Sequence, residues 1–132
     1  MLIPDARVVF AGDLFWRNML PNLVDASTNP WIATLETLAT NAGYVFVPGH
    51  GDVGTVQDVT AFREYLVTLR ALVSDARAQG KTGAPLTQTV LPALSGKYGQ
   101  WEGFTYLAEP NILQMDEEMS GRKRIPAAQP MK

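Results

Sequence analysis

The 132-residue chain contains no cysteine and a single histidine. The first absence excludes a disulfide framework, a thiolate nucleophile and every thiolate-ligated metal site. The second excludes any self-contained zinc site built from two or three imidazoles. No apolar run approaches the roughly 20 residues that cross a bilayer, so no membrane partner is expected. The opening residues Met1-Leu2-Ile3-Pro4-Asp5 show no basic region followed by an apolar stretch, which gives a cytoplasmic expectation rather than a secretory one. Basic clusters are scarce as well. The formal net charge is −2 and only Arg122-Lys123-Arg124 stands out, so nucleic acid is not an expected partner, because phosphate neutralisation needs clustered Lys and Arg. Phosphate-binding and dinucleotide fingerprints are absent, and no serine sits in a Gly-x-Ser-x-Gly elbow.

What is present is a foldable α/β pattern. Hydrophobic residues make up 46% and charged residues 18% of the chain, a balance that supports one packed domain over 1–120, with a flexible tail over 121–132. Residues 5–11, with Val8, Val9 and Phe10, read as a strand ended by Gly12. Residues 13–30 read mostly as loop, with a turn of helix near Phe15 to Leu20. Asn29-Pro30 marks a helix start, and Trp31, Ile32, Leu35, Leu38 and Ala39 recur at helical steps until Gly43. Residues 44–47 form a second short strand, apolar on both faces and so expected to be buried. A glycine-rich loop over 48–54 leads into a long helix over 56–79. Its stripe of Val59, Phe62, Leu66, Leu69, Val73 and Ala76 faces a core, while Arg63, Arg70 and Arg77 belong to the solvated side. A short helix over 84–94 is expected to break at Pro92 and Gly96. Tyr98, Trp101, Phe104 and Tyr106 form an aromatic cover for the core. A last helix spans 110–119, with Asp116-Glu117-Glu118 as a solvated face.

Two positions place a metal-ligand side chain directly after an apolar strand. Asp13 follows Val8-Val9-Phe10-Ala11-Gly12, and His50 follows Tyr44-Val45-Phe46-Val47-Pro48-Gly49. Strand ends of α/β sheets gather catalytic groups, and Gly12, Pro48, Gly49 and Gly51 supply a tight turn beside each of them. A carboxylate and an imidazole at one sheet edge suit zinc or a similar divalent ion. The simpler readings are a turn-capping aspartate and a hydrogen-bonded surface histidine. No side chain is assigned a catalytic role.

Taken in order, Val8-Val9-Phe10-Ala11-Gly12-Asp13-Leu14-Phe15, Pro21, Trp31-Ile32-Ala33-Thr34-Leu35 and Val45-Phe46-Val47-Pro48-Gly49-His50-Gly51 resemble the second half of metallo-β-lactamase-fold hydrolases. The likeness is to the glyoxalase-II-like and quinoprotein-relay-type members and covers most of residues 5–119. The resemblance implies half of an αββα sandwich, a small sheet with outer helices. It implies Asp13 as the carboxylate bridging two zinc or iron ions and His50 as a ligand of the second. It also implies hydrolysis of an ester, thioester or lactam bond. The chain departs from the family in lacking the His-x-His-x-Asp-His cluster, and one histidine cannot replace it. Alone, the chain is expected to be inactive.

Half a sandwich leaves one sheet face uncovered, with Val8, Phe10, Val45 and Val47 the kind of residues involved. Covering roughly 500 Å² of apolar surface is worth on the order of 12 kcal/mol before association costs. The expected partners are therefore a second copy of the chain, as a homodimer, or a complementary amino-terminal half. A non-catalytic, self-associating scaffold derived from the same fold is the alternative reading.

Overall fold

A computed structural model describes residues 2–3, 5–23, 27–50 and 52–121. For Leu2, Ile3, Asp13, Gly49 and His50 it describes the backbone element alone. Gly51 and the basic run Arg122-Lys123-Arg124, with most of the expected tail, lie outside the described residues.

The described elements are β1 (Leu2–Ile3), β2 (Val8–Trp16), α1 (Thr28–Leu38), β3 (Val45–His50), α2 (Val56–Ala78), α3 (Gly83–Tyr98) and α4 (Phe104–Ser120). The fold is mixed α/β, with four helices and one three-stranded sheet. β2 is the middle strand, antiparallel to β1 and parallel to β3. The parallel pair is joined through α1, the long crossover that parallel neighbours require. β1 has no counterpart in the sequence reading, because two residues carry no periodicity.

Strand alternation sorts the sheet into two unlike faces. Val9 of β2 is in register with Phe46 of β3, and both are buried together with Ala11 and Phe15. Val8 is in register with Val45, and Phe10 with Val47, on the opposite side. There Phe10 is 48% exposed, Leu14 42% and Val45 42%. The expectation that residues 44–47 are buried on both faces is therefore corrected. On this outer face Val8 and Val47 are half-buried, while Phe10, Leu14 and Val45 remain exposed.

β2 also runs five residues further than the Gly12 stop expected from sequence, and Phe15-Trp16 is strand rather than a helical turn. Glycine does not end the strand; it distorts it. Gly12 has φ +55°, and the register with β3 shifts on both sides of it. A left-handed residue inside a strand is a bulge device, which only glycine adopts without strain.

α2 is the central helix. Val59, Phe62, Tyr65, Leu66, Leu69, Val73 and Ala76 are buried along it at steps of three and four, and it packs on α1, α3, α4 and both long strands. Its start is fixed by a capping box between Thr55 and Asp58. The indole of Trp31 on α1 donates to the Leu14 carbonyl at 2.8 Å, which pins that helix to β2. Phe62 meets Phe15 edge-on at 6.0 Å and Trp31 at 5.6 Å.

Two proline expectations also change. α3 continues through Pro92 and Gly96 to Tyr98, and α4 begins at Phe104, six residues before Pro110. An interior proline costs about 3 kcal/mol of helix propensity. Burial of Leu86, Val90, Leu94 and Tyr98, each four residues after the last, outweighs it. Of the expected aromatic cover, Tyr98 and Trp101 pack on Tyr65 at 5.1 and 6.0 Å, whereas Tyr106 is 81% exposed.

Asn111 forms a polar latch under this aromatic cluster. Its amide nitrogen donates to the Pro21 carbonyl at 2.8 Å and to the Tyr65 hydroxyl at 3.0 Å, and its oxygen accepts from the Leu23 amide at 3.3 Å. Burial holds the Tyr65 phenol well above its usual range, while the Asn111 bond opposes that shift. The hydroxyl therefore remains neutral and available as an acceptor. No helix is long and apolar enough to cross a membrane, among the described residues.

Candidate functional site

The parallel pairing of β2 and β3 brings the two strand tips together. Gly12 is in register with Pro48, and Trp16 with His50. Asp13 directly follows Gly12, so its backbone and that of His50 lie toward the carboxyl ends of adjacent parallel strands. The side chains of Asp13 and His50, and the supporting Gly51, fall outside what the structure describes, while Gly49, expected in a turn, is part of β3. Gly12 and Pro48, expected in turns, lie instead inside β2 and β3 and face each other across the parallel pair, because the pairing continues past both.

The return from this loop is held closely. Phe46 and Gly54 exchange two backbone hydrogen bonds of 2.9 Å. A Cβ at Gly54 would stand 2.9 Å from Asp58 Oδ2 and 3.0 Å from Phe15 Cζ, so the loop closes here only without a side chain. Asp58 Oδ2 accepts from the Thr55 amide at 2.9 Å. Arg17, one residue beyond β2, brings its guanidinium to 3.3 Å from Asp58 and 3.9 Å from Asp52. The end of β2, the loop after β3 and the start of α2 are thus fastened to one another.

As a metal centre this chain is short of donors. Asp13 and His50 are two, and zinc takes three or four protein ligands. Among the described residues no three His, Cys, Asp or Glu side chains gather where they would hold an ion, and no further histidine or cysteine exists to be recruited. Among the described residues, then, no complete set of metal donors is assembled.

A second polar site was missed by the sequence reading. The Asp116-Glu117-Glu118 run is only in part a solvated face: Glu117 is exposed, but Asp116 is buried and Glu118 nearly so. Asp116 is ion-paired with Arg77, whose guanidinium also reaches the Asp116 carbonyl. Glu118 accepts from the Thr28 amide at 3.1 Å, from the Thr28 hydroxyl at 2.6 Å and from Arg70 at 2.8 Å. Arg70 donates in turn to Thr28 Oγ1 at 2.7 Å. A carboxylate from α4 thereby satisfies the first amide of α1, a helix end that has no side-chain cap of its own. Arg70 and Arg77, expected on the solvated side of α2, are partly buried instead. The available signal was position: Asp116 lies four residues after the buried Ile112, on the packed side of α4.

Comparison of the chain with protein-family models and with curated proteins returned no match. The reading of the two sites therefore rests on their geometry and on the sequence resemblance.

Proposed function

We propose that this chain is the carboxy-terminal half of a metallo-β-lactamase-fold hydrolase. Its reaction class would be cleavage of an ester, thioester or lactam bond, and the chain is inactive until a complementary half supplies the remaining zinc or iron ligands. The observation that carries this reading is the parallel pairing that puts the Asp13 and His50 positions at one end of the sheet. The partly exposed apolar outer face supports it. Val8, Phe10, Leu14, Val45 and Val47 share one side of β2 and β3, where a second sheet closes an αββα sandwich. Apolar surface of this kind seldom remains open on a monomer.

The same face supports a second reading, a scaffold that associates with its own copy and needs no metal. Sedimentation separates the two. The chain is expected to associate as its concentration rises, and Phe10→Glu to hold it at its monomer mass of 14.4 kDa, because a carboxylate on the docking face must be desolvated. Association strengthened by zinc and lost in Asp13→Ala or His50→Ala supports the hydrolase half. Association indifferent to zinc and to both substitutions supports the scaffold. A wild-type chain that stays monomeric at about 100 μM, with no binding of a hydrophobic dye, contradicts both.

A further inference from the structure

The polar cluster between α1, α2 and α4 borders a cavity of about 530 Å³, lined by Ser27, Asn29, Arg70, Ser74, Arg77, Glu118 and Met119. Its lining is one-sided in chemistry. Glu118, the only carboxylate among its described lining residues, already accepts from Thr28 and Arg70 through both oxygens. Arg70 and Arg77 spend only Nη1 on their protein partners. Their Nε and Nη2 atoms, and the side chains of Ser27, Asn29 and Ser74, have no hydrogen-bond partner among the described residues. Arg70, Ser74 and Arg77 are spaced i, i+4 and i+7 on α2, so they form one row along the helix.

From this geometry we infer an oxyanion-binding site, with a phosphate or carboxylate group as its ligand class. Glu118 and Asp116 anchor the two guanidinium groups through Nη1, which leaves their Nε and Nη2 donors for a ligand; a guanidinium edge matches a phosphate or carboxylate with two parallel hydrogen bonds. The hydroxyls of Ser27 and Ser74 turn to donate as needed. The volume suits a compact ligand such as a phosphate monoester or a small polycarboxylate rather than a polymer. This site is remote in chemistry from the Asp13 and His50 strand tips, and the inference does not depend on the hydrolase reading.

The test is a titration of the full chain with inorganic phosphate and, separately, with citrate, following the arginine Nε–H and the Ser74 and Asn29 amide resonances at constant ionic strength set with chloride. Saturable shifts at these positions with either anion, absent with chloride alone, support the site. The preferred anion identifies a phosphoryl or a carboxylate source. Ser74→Glu keeps both ion pairs and changes an exposed helix position, yet seats a carboxylate between the two arginines; it is expected to weaken binding at least tenfold. Arg77→Lys keeps the charge beside Asp116 but loses the second donor nitrogen, with about threefold or greater weakening expected. Wild-type shifts that do not saturate, or that chloride reproduces, overturn the proposal. So does Ser74→Glu binding with wild-type affinity.

Discussion

Phe62→Ala is expected to destabilise the chain by about 4 kcal/mol, since truncating a buried phenylalanine costs roughly 3–5 kcal/mol in lost transfer energy and residual cavity. The ring is fully buried and stands where three elements meet: Phe15 of β2 on one side, Trp31 of α1 on the other, α2 beneath. Its removal loosens the attachment of both α1 and the sheet to the central helix, so the cavity has few ways to collapse. Thermal unfolding should shift down by roughly 10–15 °C, as 1 kcal/mol moves the midpoint of a domain this size by about 3–4 °C. Tyr106→Ala, at an 81% exposed position, serves as the control and should stay within about 0.5 kcal/mol of wild type. Equal effects at the two positions would contradict the assigned core.

Asn111→Ala is the second large effect, about 3 kcal/mol, and its origin is polar. Asn111 is 1% exposed and joins the Pro21 carbonyl, the Leu23 amide and the Tyr65 hydroxyl, groups from three stretches far apart in the chain. Alanine removes the donor to Pro21 and Tyr65 without removing those groups, and a buried polar atom left without its partner costs about 1–3 kcal/mol. Urea unfolding of the variant, compared with Tyr65→Phe, separates the contributions. Tyr65→Phe loses one acceptor and should cost less than Asn111→Ala. The reverse order would show that the phenol, not the amide, anchors the segment around Pro21.

How much of this was legible in the sequence follows from which forces are local. The α2 stripe was readable because burial repeats with the helix period from Val59 to Ala76. Asp13 and His50 stand out in the sequence because each follows an apolar run with glycine beside it, yet both lie within β2 and β3 rather than after them. The continuation of β2 to Trp16 was hidden, since Gly12 ordinarily signals an end, and only pairing with β3 shows that it bends the strand instead. Pro92 and Pro110 misled for a related reason. Local propensity argues for a break, whereas the apolar faces of α3 and α4 are held by α2 and by each other. The Arg70–Glu118 and Arg77–Asp116 pairs join residues 48 and 39 positions apart, and nothing in the local spacing of charges reports a partner so distant. Val8, Phe10, Val45 and Val47 are candidates for an uncovered face by their apolar character alone, and only the register of β2 with β3 puts all four on one side.

The account depends most on the Asp13 and His50 strand tips sharing one metal position, and the lone histidine makes a direct test simple. In an imidazole NMR spectrum the only histidine signals are those of His50, so zinc can be titrated against them without ambiguity. Weak but saturable changes in the His50 ring signals are expected, together with a matching response of the Asp13 carboxyl carbon, and Asp13→Ala should reduce the apparent zinc affinity at His50 at least tenfold. A His50 response that is unchanged in Asp13→Ala, or no response while the chain remains folded, would show that the two tips do not act on a common ion.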